Sequence, residues 1–209
     1  MSLDIWLAFV AASTALLMLP GPTILLVLSY ALSQGRKVAV ATAAGVAVGD
    51  FIAMSASLMG LGAVVLASAT AFTALKWVGA LYLVWLGIRM FRSAGRTDTP
   101  ELVETRDLPS RGVFGHAAAV TALNPKSIGF FIAFVPQFID PSRAMLPQFA
   151  ILIATFVGLA ATNAMIFALA ADKLRAQISR PQVIQGLTRL GGITLIGMGV
   201  LTATLRRAG

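Results

Sequence analysis

The 209-residue chain has no cysteine and a single histidine, His116. The first absence excludes a disulfide, a thiolate nucleophile and a thiolate metal centre, and it leaves the redox compartment undetermined. The second leaves no imidazole cluster for a soft metal, so no metal site is expected. Charge is also scarce, at 11% of residues against about 25% for an ordinary soluble domain. So few polar side chains cannot coat a water-facing surface, and lipid must be the main solvent. The signatures H-E-x-x-H, G-x-S-x-G and S-x-x-K are absent too, and no catalytic residue or cofactor is assigned.

Acidic residues are outnumbered, 8 against 16 basic, giving a net charge of +8. A nucleic-acid partner is not expected, because the basic residues sit in short turns between apolar runs and form no continuous patch. Positive loops on a membrane protein account for them more simply.

What is abundant is apolar sequence, 58% of the chain. Windows of about 20 apolar residues predict six spans, Leu3–Ser33, Val38–Ala67, Phe72–Phe91, Val113–Ile139, Leu146–Ala170 and Gly186–Leu205. The N-terminal stretch carries Asp4 in place of the basic region of a cleaved signal, and is expected to be retained as the first span. Residues 1–209 then form one transmembrane domain, with the polar stretch 94–111 as its linker. Eleven basic residues, from Arg36 and Lys37 through the Arg89–Arg111 group to Lys173, Arg175, Arg180 and Arg189, lie on one side. Four, namely Lys76, Arg143, Arg206 and Arg207, lie on the other, which places both termini outside. Trp6, Trp77 and Tyr30 fall near span ends and are expected in the headgroup belt. Gly45, Gly49, Gly79 and Gly87 provide small faces for close helix packing, within a bundle or in a homo-oligomer.

The two halves align. An offset of 113 matches "GVAVGD" with "GLAATN", Lys76 with Arg189 and Gly79 with Gly192, while an offset of 103 places Pro22 on Pro125. Repeat one is residues 1–93 and repeat two 112–209, with three spans each. An odd number of spans forces the second copy to insert upside down, so the expected fold is all-α with two inverted three-helix repeats. Such plans bind substrate at midplane, between the copies.

Both first spans carry a helix breaker. The first, of about 31 residues, would extend about 46 Å as one helix, against a hydrocarbon core of about 30 Å. Pro20, Gly21 and Pro22 interrupt it: each proline lacks an N–H, and the glycine frees the backbone. Pro22 then suits the first turn of a new helix, leaving the amides of Thr23 and Ile24 unpartnered. In "TALNPKSIGFF", Asn124 can cap and Pro125 can start a second half-helix, followed by free amides at Lys126 and Ser127. Inverted copies would bring the two positive half-helix ends together, which makes an anion site where water is scarce. Lys126 and Asp50 are intramembrane charges and hence functional candidates. Asp50, with Asn163 as its repeat equivalent, could hold a substrate ammonium, exchange a proton or neutralise Lys126.

With "LPGPTILLVLSYALSQGRKVAVATAAGVAVGD", "GALYLVWLGIRMFR" and "NPKSIGFFIAFVPQFID", the chain resembles the LysE/RhtB family of amino-acid exporters over nearly its whole length. The family motif commonly continues Pro-Gly-Pro with asparagine, where this chain has Thr23. The resemblance implies a bacterial inner-membrane carrier exporting amino acids or related metabolites, driven by the proton gradient. The residues agree on a zwitterion: Thr23, Ile24 and Lys126 can serve its carboxylate, and Asp50, Asn124, Asn163 or carbonyls near Leu19 its ammonium. The alternatives are a metal or cation exporter of the same superfamily, an intramembrane enzyme, and a structural subunit. The last would not need two breakers at equivalent depth.

Overall fold

The computed structural model describes residues 1–19, 21–94, 108–140, 142–178 and 181–204. Among these the chain is entirely helical, with eight α-helices. The first expected span is two pieces, α1 (Leu3–Met18) and α2 (Pro22–Gln34). Then come α3 (Ala39–Ala67) and α4 (Ala69–Ser93). The fourth expected span is also two pieces, α5 (Ser110–Ala122) and α6 (Pro125–Ala133), and α7 (Met145–Ile178) and α8 (Pro181–Thr204) follow. Most of the linker lies outside the described residues; α5 starts at Ser110, ahead of the expected Val113.

Four stretches are long and apolar enough to cross a membrane: Pro22–Val64, Thr73–Ser93, Met145–Ala171 and Gln185–Thr204. The pair Ser110–Ala122 and Pro125–Phe138, bent by 46°, makes a fifth, and Leu3–Met18 is a shorter apolar helix. The stretch from Pro22 is not straight. Gly35 has φ +71°, a left-handed conformation that glycine adopts without penalty. Two contact sets show the chain doubling back there. Thr121 and His116 of α5 meet Thr23 and Tyr30 of α2, so those helices run antiparallel. Ala117 and Thr121 lie against Gly45 and Gly49, so α5 runs parallel to α3.

Close approach of small residues holds the bundle together. A methyl group built on Gly45 or Gly49 would fall 2.5–2.6 Å from the carbonyl oxygens of Phe114 and Ala118. On Gly87 it would meet Gly192 O at 2.6 Å, and on Gly192 it would meet Gly87 O at the same distance, so α4 and α8 touch backbone to backbone. Gly79 abuts Ala133 of α6 in the same way. All four glycines read from sequence as packing faces are therefore used within the protomer. The core between α1, α3, α6 and α7 is aromatic, with Phe9, Phe130, Phe131 and Phe156 fully buried. Outward-facing Trp77, Leu81 and Trp85 of α4, and Leu190 and Ile193 of α8, are exposed apolar side chains suited to lipid.

Beyond α6, a turn returns the chain to α7. Asp140 accepts from the amide and hydroxyl of Ser142 and pairs with Arg143 at 3.2 Å. The Ser142 bonds, and then the arginine, hold its carboxyl below the usual carboxylate range. Gln148 clamps the turn, accepting from Asp140 N at 2.8 Å and donating to Asp140 O at 2.9 Å.

Candidate functional site

Each interruption begins a helix with proline in its first turn. Pro22 opens α2 behind Gly21, which supplies no side-chain cap. Pro125 opens α6 behind Asn124, whose Oδ1 accepts from Lys126 N at 3.0 Å. The amide of Lys126, expected free, is therefore capped. A proline at this position costs little, since the N–H it lacks has no intrahelical partner in any case.

The two interruptions touch. Asn124 Nδ2 donates to Thr23 Oγ1 at 3.0 Å, and the Thr121 hydroxyl lies 3.4 Å from the same oxygen. Tyr82 of α4 donates to Pro125 O at 3.3 Å. Ile24, Asn124 and Ser127 are buried, while the rings of Pro22 and Pro125 are exposed. Pro20 lies outside the described residues.

Lys126 is 8% exposed and takes a path that its sequence position does not reveal. On α6 alone its charge would oppose the helix dipole. Instead the side chain crosses to the end of α1, where Nζ donates to Leu16 O at 3.2 Å and Leu19 O at 2.9 Å. Both carbonyls lie at the C-terminal end of α1, where Leu16 O also accepts from the cap amide of Leu19 at 3.3 Å, and a cation belongs at that end. Gly21 admits it: a Cβ at that position would stand 3.2 Å from Nζ. Asn163 of α7 serves the same helix end, with Nδ2 donating to Leu17 O at 3.1 Å.

Asp50 on α3 is 2% exposed, and its Oδ1 has no hydrogen-bond partner. It interacts electrostatically with Lys126, yet no ion pair within 4.0 Å joins them. The structure brings Thr23, Asn124, Lys126 and the end of α1 together. The carbonyls near Leu19, expected to hold a substrate ammonium, here accept from Lys126, while Leu16, Leu17, Thr121 and Tyr82 were not singled out. Thr121 had a signal, being a hydroxyl just ahead of Asn124; Leu16 and Leu17 act through carbonyls, which leave none.

Two further polar ties join helices away from the interruptions. Trp6 Nε1 donates to Thr155 Oγ1 at 3.0 Å. Tyr30, expected at the headgroup belt, is fully buried, and its hydroxyl lies 2.7 Å from Nδ1 of His116. A buried phenol needs such a partner, so its ring faces the bundle.

The family model described as LysE type translocator matches residues 14–206. The homoserine/homoserine lactone efflux protein of Salmonella typhimurium is 35% identical over 209 residues, covering 100% of each chain. An uncharacterised membrane protein of Vibrio cholerae is 33% identical over 206 residues, 99% of this chain and 100% of its own. The leucine efflux protein of an Enterobacter species is 27% identical over 207 residues, 97% and 96% of the two chains. No solved structure matches.

Proposed function

The chain belongs to the LysE type translocator family, and we infer that it is a secondary carrier exporting amino acids or related small zwitterions across the bacterial inner membrane. It is a transporter and not an enzyme. Relatives named for homoserine and leucine efflux support that substrate class. The observation that carries the binding site is the Asn124–Thr23 hydrogen bond, which brings the starts of α2 and α6 together beside buried Lys126.

The carboxylate of a zwitterion would meet the uncapped start of α2 at Thr23 and Ile24, with Lys126 within reach. Its ammonium would meet Asp50 or the carbonyls ending α1. In this reading Gly21, Pro22, Pro125 and Ser127 shape the site, as does Pro20.

Six spans in two inverted repeats are the architecture proposed for it, residues 1–93 and 112–209 on either side of the linker 94–111. Reciprocal contacts support this. The offset of 113 takes the close pair Ala80–Gly199 onto Ile193 and Leu86, each next to the close pair Gly192–Gly87. Asp50, the repeat equivalent of Asn163, is buried with an unpartnered Oδ1, and it is the group proposed for proton exchange. The basic turns assign both termini to the periplasm.

The test is efflux from vesicles loaded with labelled amino acids or with metal ions, with and without a pH gradient. Gradient-stimulated loss of an amino acid, reduced at least ~10-fold by Lys126→Ala at equal expression, is expected. Unmodified rates in both Lys126→Ala and Asp50→Asn would overturn the site. Metal movement without amino-acid movement would favour the cation-exporter reading, against which stands the ammonium of Lys126 at the break.

A further inference from the structure

Lys126 does not wait in an open pocket for a carboxylate. Its ammonium is already bound by the carbonyl oxygens of Leu16 and Leu19, at the end of α1, and packed over Gly21. Two oxygens at 3.2 and 2.9 Å, at the negative end of a helix, are an ammonium receptor built from backbone. Asn163 holds the intervening carbonyl of Leu17 and so fixes the helix end in place. The neighbouring side chain of Asp50 makes no ion pair with the lysine.

We propose that the Leu16 and Leu19 carbonyls form a primary-ammonium site that Lys126 occupies in the empty carrier and the substrate's own ammonium occupies in the loaded one. This rests on the amino-acid carrier reading. A buried charge cannot be left without a partner, since leaving one unpaired is costly. Lys126 can therefore leave the carbonyls only when a carboxylate receives it and another ammonium replaces it. A zwitterion supplies both at once and adds no net charge to the site. An amine alone would free Lys126 without a partner; a carboxylic acid alone would draw Lys126 away and strip the carbonyls. The requirement for both groups then follows from one exchange. Because the carbonyls end α1 and the ammonium packs on Gly21, loading also acts directly on the first interruption.

The experiment compares purified full-length protein with Lys126→Ala in detergent, in methylammonium chloride or tetramethylammonium chloride at equal ionic strength. Methylammonium carries N–H donors and fits the vacated carbonyls; tetramethylammonium has none. The expected result is that methylammonium raises the melting temperature of Lys126→Ala by about 3 °C or more, while tetramethylammonium does not, and the unmodified protein responds to neither. An equal response of both proteins, or no response of the variant, overturns the proposal. Lys126→Met, whose side chain ends one atom short of the ammonium position and carries no donor, is measured in parallel, and failure of both variants to gain stability from methylammonium counts against the site. The readout needs no transported substrate. Efflux of amino acids without the methylammonium effect would refute the site and leave the carrier reading intact; the effect without any efflux would do the reverse.

Discussion

Asn124 Nδ2 lies 3.0 Å from Thr23 Oγ1, across the gap between two helices that each start with proline. The same side chain caps α6 through its other atom, at Lys126 N. One amide thus fixes a helix start and ties it to the other interruption.

Asn124→Ala should remove both bonds and cost about 0.5–2 kcal/mol, the usual range for a lost N-cap. Asn124→Ser should recover most of the cap but not the reach to Thr23. Thermal melting in detergent separates the two contributions. Efflux should fall in both variants if the tie to Thr23 positions the site. Equal efflux in Asn124→Ser and the unmodified protein would remove that role.

Asp50→Asn should fold normally, because asparagine at the corresponding position 163 already donates to a helix-end carbonyl. The unpartnered Oδ1 means that no hydrogen bond is lost there. Export should nevertheless drop by ~10-fold or more and lose its dependence on the pH gradient. Vesicle efflux at matched protein levels measures this, and gradient-dependent export by the variant would exclude Asp50 from proton exchange.

Gly192→Leu should separate α4 from α8. A Cβ there already meets Gly87 O at 2.6 Å, and the backbone on both sides has nowhere to retreat. Overpacking of this kind costs about 1–3 kcal/mol or more. Gly197→Ala in the same helix is the control, since its added methyl meets nothing within 4 Å. That change should be neutral or stabilise by about 0.5–1 kcal/mol, the usual gain of alanine over glycine inside a helix. Melting temperatures of the two variants decide it.

Tyr30→Phe and His116→Phe should each weaken the junction of α2 with α5. A net hydrogen bond contributes about 0.5–1.5 kcal/mol, and the double variant should lose less than the two singles together. Additive losses would mean that the 2.7 Å contact contributes nothing to stability.

The absence of cysteine makes orientation directly measurable. Ser2→Cys should react with a membrane-impermeant maleimide in intact spheroplasts, and Gln34→Cys only after permeabilisation. The opposite pattern would place the basic turns outside.

Much of the architecture was legible because lipid imposes simple rules. A long apolar run must be helical, since nothing in the membrane satisfies an open backbone. Expected and observed bounds agree closely for α3, Val38–Ala67 against Ala39–Ala67. Pro22 and Pro125 fall at helix starts as expected, because proline has one comfortable place in a helix. Tyr30 was misplaced for a related reason. Proximity to a span end says nothing of which way a ring turns, and the partner that turns it inward, His116, is on another helix.

The destination of Lys126 was not legible either. Composition and spacing established an intramembrane cation one residue past a helix-starting proline, and a paired breaker upstream. They did so because hydropathy and proline geometry are local properties of the chain. Only the tertiary structure decided that its long, flexible side chain leaves its own helix start for the carbonyls of Leu16 and Leu19, and that Asp50 keeps an unpartnered oxygen. The reason is that backbone acceptors are the same at every residue, so which of them remain free, and what lies beside them, depends on how helices distant in sequence come to rest against one another.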